Sequence, residues 1–282
     1  MEPVVPYCGL RAPAHQFFTK GQRAYVEACC HLIAEAFDAK DDGEKTIDMD
    51  AAVDAAARKT ETPKFYYAEQ SQQTRFNCSA CGQWNDILGR FGYCSSCGTR
   101  NDLGQLDSVV AAVRTRINNT GEDGLNSCVR DLVSAFDTMA QQYAKQLTNN
   151  VPLTSRRRAK FEGRRFHDLR RCAEDFREAF DINMLEGLDE NEVKFAVIMF
   201  ERRHVYEHKG GEADEAYIEK TGDTSVRPKQ IIRETSENSH RLANIVRRLG
   251  RNLHEAFHEL FPPENAPIDL KKQMDRYRQP SR

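Results

Sequence analysis

The sequence predicts a mainly α-helical protein: an antiparallel helical bundle with a small four-cysteine module and an N-terminal helical segment. Three observations carry this reading. Apolar residues recur at three- and four-residue steps in the opening segment, the pattern switches to cysteines, glycines and aromatics between Phe76 and Arg100, and helical spacing returns after Asn101. Five helical segments between Leu106 and Leu260, separated by turn-rich stretches, bury their apolar faces most simply against one another.

Composition narrows the class further. The chain has 282 residues, 39% hydrophobic and 30% charged, with 41 basic against 43 acidic side chains, which describes an ordinary soluble protein. That balance argues against a continuous nucleic-acid coat and leaves local basic patches open. No basic leader precedes an apolar run at the start, and no stretch approaches the roughly 18 apolar residues of a membrane span, so a cytoplasmic protein without membrane contact is expected. Nine cysteines are present. Outside two close pairs, Cys8, Cys29, Cys30, Cys128 and Cys172 form no disulfide-like framework, and the last four fall in helical patterns as buried thiols.

The first helix is expected over Lys20 to Asp38, where Tyr25, Ala28, Leu32, Ala36 and Phe37 share a face, and it ends at the charged turn Lys40 to Glu44. Alanine-rich Asp50 to Lys59 forms a second. Later segments are Leu106 to Ile117, Leu125 to Leu147, Ser155 to Phe180, Asp189 to His208 and Pro228 to Leu260, with Ser155 and Asp189 as N-caps. The divisions that follow are 1–72 for the N-terminal helical segment, 73–101 for the cysteine module, 102–262 for the bundle and 263–282 for a poorly ordered charged tail.

Cys78-Ser-Ala-Cys81 and Cys94-Ser-Ser-Cys97 are two Cys-x-x-Cys pairs twelve residues apart, a spacing that brings four thiolates to one tetrahedral zinc. Each pair is followed by a glycine, Gly82 or Gly98, which lets the chain turn while backbone N–H groups face sulfur. Four sulfur ligands leave no open coordination position, so the ion is structural, with Trp84, Phe91 and Tyr93 as the module's small core. The module resembles a zinc ribbon, a class that binds nucleic acid or protein.

The segment Phe200-Glu-Arg-Arg-His-Val-Tyr-Glu-His208-Lys-Gly-Gly211 closes a helix with Arg203, His204 and His208 in its last two turns. A guanidinium stabilises charge developing on a phosphate, and an imidazole moves protons near neutral pH, a combination suited to phosphodiester cleavage by RNA's own 2′-hydroxyl without a metal. Arg203 and His208 nevertheless lie about 140° apart around a straight helix. Two such helices crossing at a twofold axis would unite both residues in one cleft, which predicts a homodimer with a composite site.

Arg203-His204-x-x-x-His208 resembles the Arg-polar-x-x-x-His motif of the HEPN superfamily of ribonucleases. Residues 210–223 are similar to the segment that follows that motif in several branches, and a long closing helix comes next. The resemblance covers about Asp102 to Pro262. It implies a dimeric, metal-independent endoribonuclease with Arg203 and His208 as the essential pair and His204 in support. Its products would be a 2′,3′-cyclic phosphate or 3′-phosphate and a 5′-hydroxyl. It also implies RNA as substrate, a role in toxin–antitoxin or antiviral defence, and an antitoxin or regulatory protein as a partner.

Two other patterns compete. Arg156 to Lys160, Arg164-Arg165 and Arg170-Arg171, interleaved with Phe161, Phe166 and His167, form a stripe able to track an RNA backbone or to serve as a solvated helix face, and Arg247, Arg248 and Arg251 carry the same ambiguity. His254-Glu-Ala-Phe-His258 fits the zinc-peptidase pattern His-Glu-x-x-His, with Glu255 as base and Glu264 as a third ligand, although Leu249, Leu253, Phe257 and Leu260 account for the helix as packing. A non-catalytic nucleic-acid- or protein-binding module is the main alternative to the nuclease.

Overall fold

The computed structural model describes residues 20–38, 49–57, 73–163 and 166–278. The described residues fall into two compact units: those up to 74 with 88–90, and 75–87 with those from 91 onward. In the first, α1 (Lys20–Asp38) and α2 (Met49–Ala57) pack together through Ala24, Ala28, Ala52, Val53 and Ala56, all buried. Alanine on both faces permits close helix approach, but Phe37 stays exposed, contrary to its expected core role. Cys30 is also exposed and Cys29 only half-buried; of the four helical cysteines, only Cys128 and Cys172 are the buried thiols expected. Cys8 lies outside the described residues.

The second unit contains residues 75–77 and 84–87 of a hairpin, β1 (Gln73–Asn77) with β2 (Trp84–Leu88), followed by helices. Helix α3 spans Asp102–Asn119 and α4 spans Glu122–Asn150. The turn between them is so short that α4 doubles back along α3. Helix α9 (Ser236–Leu260) packs on both, burying Leu242, Val246, Leu249, Leu253 and Phe257 at i, i+3 and i+4 steps. Fully burying a Leu or Phe contributes about 1.5–3 kcal/mol, so this three-helix contact dominates the unit's stability. At Gly250 on α9 an added Cβ would run into the side chains of Leu106 and Met139, which would have to shift to admit it.

The segment expected as one helix over Ser155 to Phe180 is broken. A single turn, α5 (Ser155–Arg158), is capped by Thr154 rather than Ser155, and α6 (Leu169–Phe180) restarts at an Asp168 N-cap. The first turn ends at Arg158, with Ala159 as its C-cap, and Phe161 and Phe166 turn inward onto Phe176. Asp137 accepts the Phe166 N–H, fixing the detour. The two aromatics are therefore core and cannot stack on RNA bases. Arg156, Arg157, Arg170 and Arg171 remain exposed, and Arg164 and Arg165 lie outside the described residues.

Helix α7 (Glu190–His208) begins with the expected Asp189 cap, completed by Glu192 as a reciprocal capping box. Helix α8 spans Glu215–Thr221. The helix expected from Pro228 instead begins at Ser236, capped by Thr235, because Lys229 sits at φ +68° and the chain pairs Glu212 with Ile231 in an isolated bridge. Arg247 and Arg248 on α9 are held by Asp107 and Glu192, at 2.7 and 2.9 Å.

The expected charged tail is largely a helix, α10 (Asn265–Arg278), which closes over the cysteine module. Ile268 packs on Cys78, Cys94 and Cys97, and the Glu264 N–H donates to the Cys97 carbonyl at 2.8 Å. Trp84 and Tyr93, expected as the module's core, are 55% and 41% exposed; α10 supplies the apolar cover that they do not.

The His-Glu-x-x-His histidines are absorbed by packing and hydrogen bonds. His254 Nδ1 lies 2.6 Å from the hydroxyl of fully buried Tyr143, and burial pushes that phenol's pKa up, so the hydroxyl donates and the imidazole accepts. His258 accepts from the Arg100 N–H through Nε2 and donates through Nδ1 to the Phe261 carbonyl. Burial, with His258 and Arg100 nearby, holds His254 down to about 3. Its folded value thus lies below the ordinary imidazole range, so the associated stability is present above about pH 6.5 and is lost as acid protonates the unfolded chain. Urea unfolding of the wild type is therefore expected to weaken from pH 7.5 to 5, and His254→Gln should flatten that slope. Equal slopes would show that His254 does not carry it.

Candidate functional site

Residue spacing on the last two turns of α7 creates three rows with different surroundings. Phe195, Met199, Arg202 and Tyr206 follow a core-facing stripe, Arg203 and Glu207 form a second row, and His204 and His208 a third. The helix stops because Gly210 and Gly211 adopt φ +60° and +88°, a left-handed conformation that glycine takes without strain. The Gly211 N–H returns to the Val205 carbonyl, and the Ile232 N–H to the Gly211 carbonyl, so the chain after His208 is pinned back.

Both histidines are exposed, with ring centroids 4.7 Å apart. Partial burial, together with the charges of His208 and Lys209, holds the His204 pKa below its ordinary value, favouring neutral imidazole. Arg203, by contrast, is only 7% exposed. Its Nη2 meets Glu207 Oε2 at 2.7 Å, and its Nε is buried without a hydrogen-bond partner. The sequence-predicted trio therefore shares one helix end, but within one chain Arg203 pairs with Glu207 and does not join the histidine row.

The largest polar constellation here is one that the motif does not indicate. Arg202 is buried and donates to Asp223 at 2.8 Å, Glu234 at 2.8 Å, Ser225 at 2.8 Å and Tyr217 at 3.2 Å. Tyr206 also donates to Glu234, at 2.6 Å. Burial would push the Asp223 carboxyl up, but hydrogen bonds from Ser225, Tyr217 and Arg202 outweigh it and hold the group at about 2. The network clamps the segment after His208 onto α7. The core-facing stripe of Met199 and Tyr206 was the available signal, since it places Arg202 inside and Arg203 beside it. Replacing Arg202 with methionine leaves two buried carboxylates without their cation and is expected to cost about 3–5 kcal/mol in urea unfolding. A loss below about 1 kcal/mol would mean that the carboxylates are compensated elsewhere.

Along the histidine row of α7, Val197 and Glu201 continue into a cleft of about 470 Å³. Arg170 and Arg171 of α6 and Lys220 at the end of α8 also line it. Lys220 is engaged by Glu201 at 2.7 Å, and the exposed Arg170 and Arg171 share the lining with Asp168, Glu174, Asp175 and Glu178, so the cleft carries mixed charge.

The four cysteines converge as their spacing predicts. Their Sγ atoms lie within 4.8 Å of one another, with Cys78 to Cys97 and Cys81 to Cys94 both at 3.6 Å. Zinc–sulfur bonds of about 2.3 Å arranged tetrahedrally put sulfurs about 3.8 Å apart, so the four could hold one zinc ion with little adjustment. The two pairs use the same turn: the N–H of Gly82 returns to the Cys78 carbonyl at 2.8 Å, that of Gly98 to the Cys94 carbonyl at 2.9 Å, and both glycines sit at φ +75°. Burial raises the Cys94 thiol, but backbone N–H groups of Cys97 and Ser96 and the Asn85 amide outweigh it and bring it down to about 7, which suits a thiolate ligand. Asn85 also accepts from the Ser95 N–H at 2.8 Å, orienting the second turn. Among the described residues no other group of three or more histidine, cysteine or acidic side chains could hold a metal.

Comparison of the chain with protein-family models, curated proteins and solved structures yields no match. Among the described residues no helix is long and apolar enough to cross a membrane.

Proposed function

We propose that the chain is a metal-independent endoribonuclease of the HEPN type, acting as a homodimer, with one structural zinc ion held by Cys78, Cys81, Cys94 and Cys97. The observation that carries this reading is the end of α7, where two exposed imidazoles stand side by side next to a guanidinium that is nearly dry.

In the proposed reaction His208 takes the proton of the RNA 2′-hydroxyl, whose oxygen attacks the adjacent phosphorus. Arg203 stabilises the charge gathering on the non-bridging oxygens, and neutral His204 accepts a hydrogen bond from the substrate or from protonated His208. As the new P–O bond forms the bond to the 5′-oxygen breaks, and that oxygen takes a proton from water while His208 returns its own to solvent, giving a 2′,3′-cyclic phosphate and a 5′-hydroxyl. Because Arg203 and His208 occupy different faces of α7, the two meet at one phosphate only when a second copy supplies the missing partner. We read the run of helices from α3 to α9 as a bundle of that type. Toxin or antiviral activity and control by an antitoxin-like protein extend the same reading.

The test is incubation of mixed tRNA and mRNA with purified protein in EDTA, alongside Arg203→Ala and His208→Ala. Cyclic phosphate ends from the wild type alone support the proposal; identical behaviour of all three proteins overturns it in favour of a non-catalytic binding module.

A further inference from the structure

The partner that Arg203 keeps in the free chain points to how the site is restrained. A guanidinium presents five N–H donors in a planar fork, and a buried one needs an anion close by. Arg203 has one such anion, the Glu207 carboxylate on Nη2 at 2.7 Å, and its buried Nε has no hydrogen-bond partner. The fork is therefore only partly used. Glu207 is the looser member, with its side chain 37% exposed, and can swing into solvent without disturbing the helix.

We propose that Glu207 is a built-in competitor for the phosphate: its carboxylate occupies Arg203 at rest, and an RNA phosphodiester must displace it to reach the guanidinium. A phosphate can take two donors at once, Nε and Nη2, where the carboxylate takes only Nη2, so displacement completes the donor set. The restraint lowers affinity for RNA and leaves the imidazole chemistry of His204 and His208 untouched. Lys209, the residue after His208, is likewise engaged by Asp214, so Arg203 and Lys209 each face a carboxylate before substrate arrives. The substrate class rests on the ribonuclease reading; the restraint on Arg203 does not.

The experiment compares full-length wild type, Glu207→Gln, Glu207→Asp and the double variant Arg203→Ala/Glu207→Gln in two measurements. The first is binding of a 2′-O-methyl RNA oligonucleotide, with the KM and kcat of cleavage of the matching RNA. Glu207→Gln should bind about tenfold more tightly and lower KM with kcat unchanged, and the double variant should lose the gain. The second is the thermal shift produced by inorganic phosphate, which Glu207→Gln should enlarge and the double variant abolish whether or not RNA is cut. A phosphate shift that grows without any cleavage keeps the restraint and removes the nuclease reading. A lower kcat for Glu207→Gln, or oligonucleotide and phosphate responses equal to wild type, overturns the restraint. Should Glu207→Gln fold poorly, Glu207→Asp, which retains the charge on a shorter stem, must show the same direction of change or the proposal fails.

Discussion

Alanine in place of His208 is expected to lower RNA cleavage by about 10²–10⁴-fold, the usual contribution of a positioned proton-transfer group. Arg203→Ala should lose about 10²–10³-fold through missing stabilisation of phosphate charge. The two substitutions differ in their side effects. His208 is exposed, so its loss should leave the unfolding midpoint unchanged, whereas Arg203 is 7% exposed and its removal also frees Glu207, so a modest stability change is expected. Equilibrium sedimentation should find both variants dimeric. A mixture of the two single variants is then the sharper test: in a heterodimer, one composite site loses both residues and the other retains one intact Arg203 and one intact His208. Recovery of part of the activity on mixing supports a shared site; no recovery from co-folded heterodimers would place each site within a single chain.

The parts legible in the sequence are those fixed by local pattern. The Cys-x-x-Cys-Gly units predict both ligands and turns because the left-handed position after each pair tolerates little but glycine. Helix α1 has the bounds expected of it, although of its expected apolar face only Ala28 is buried, and the core of α3 and α4 follows its periodicity closely. Errors arise where tertiary contacts override it. Residues 159–163 and 166–168 leave the helix because burying Phe161 and Phe166 against Phe176 is worth more than continuing an arginine-rich turn. Residues 265–278 read as a charged tail because α10 has few buried apolar side chains; Ile268 marks its contact with the cysteines. Arg202 and Arg203 look alike as letters, yet the stripe they fall on sends one into a buried network and the other against Glu207. A composite site needs a second chain, and no periodicity within one chain encodes that geometry.

Zinc removal is expected to have the largest structural effect. Structural zinc sites are worth about 10–16 kcal/mol of apparent binding energy at neutral pH, and the module has almost no apolar core of its own to replace it. Trp84 and Tyr93 are 55% and 41% exposed, so a bound metal, together with α10, would hold the turns together. Without the ion the sulfurs take up protons, since burial raises Cys78 and pushes Cys81 up to about 12, and nothing then ties the two turns together; the cover provided by Ile268 should be lost, and the Glu264 to Cys97 hydrogen bond should lose its fixed acceptor. The bundle feels the loss through Tyr93, which donates to Gln146, and through the buried Arg100–Asp102 pair at 2.8 Å just beyond the last cysteine. Cys94→Ser, or wild type stripped by a strong chelator, should therefore expose Lys271 and Lys272 to trypsin and lower the unfolding midpoint, while the helical signal of α3, α4 and α9 persists. Elemental analysis should find about one zinc per wild-type chain and much less in Cys94→Ser. Wild-type protein that is zinc-free as purified, or a Cys94→Ser chain as resistant to trypsin and heat as its parent, would show that the four sulfurs are held by packing alone. Mild EDTA that leaves the module closed should not affect RNA cleavage, since no zinc-bound group touches the proposed reacting atoms.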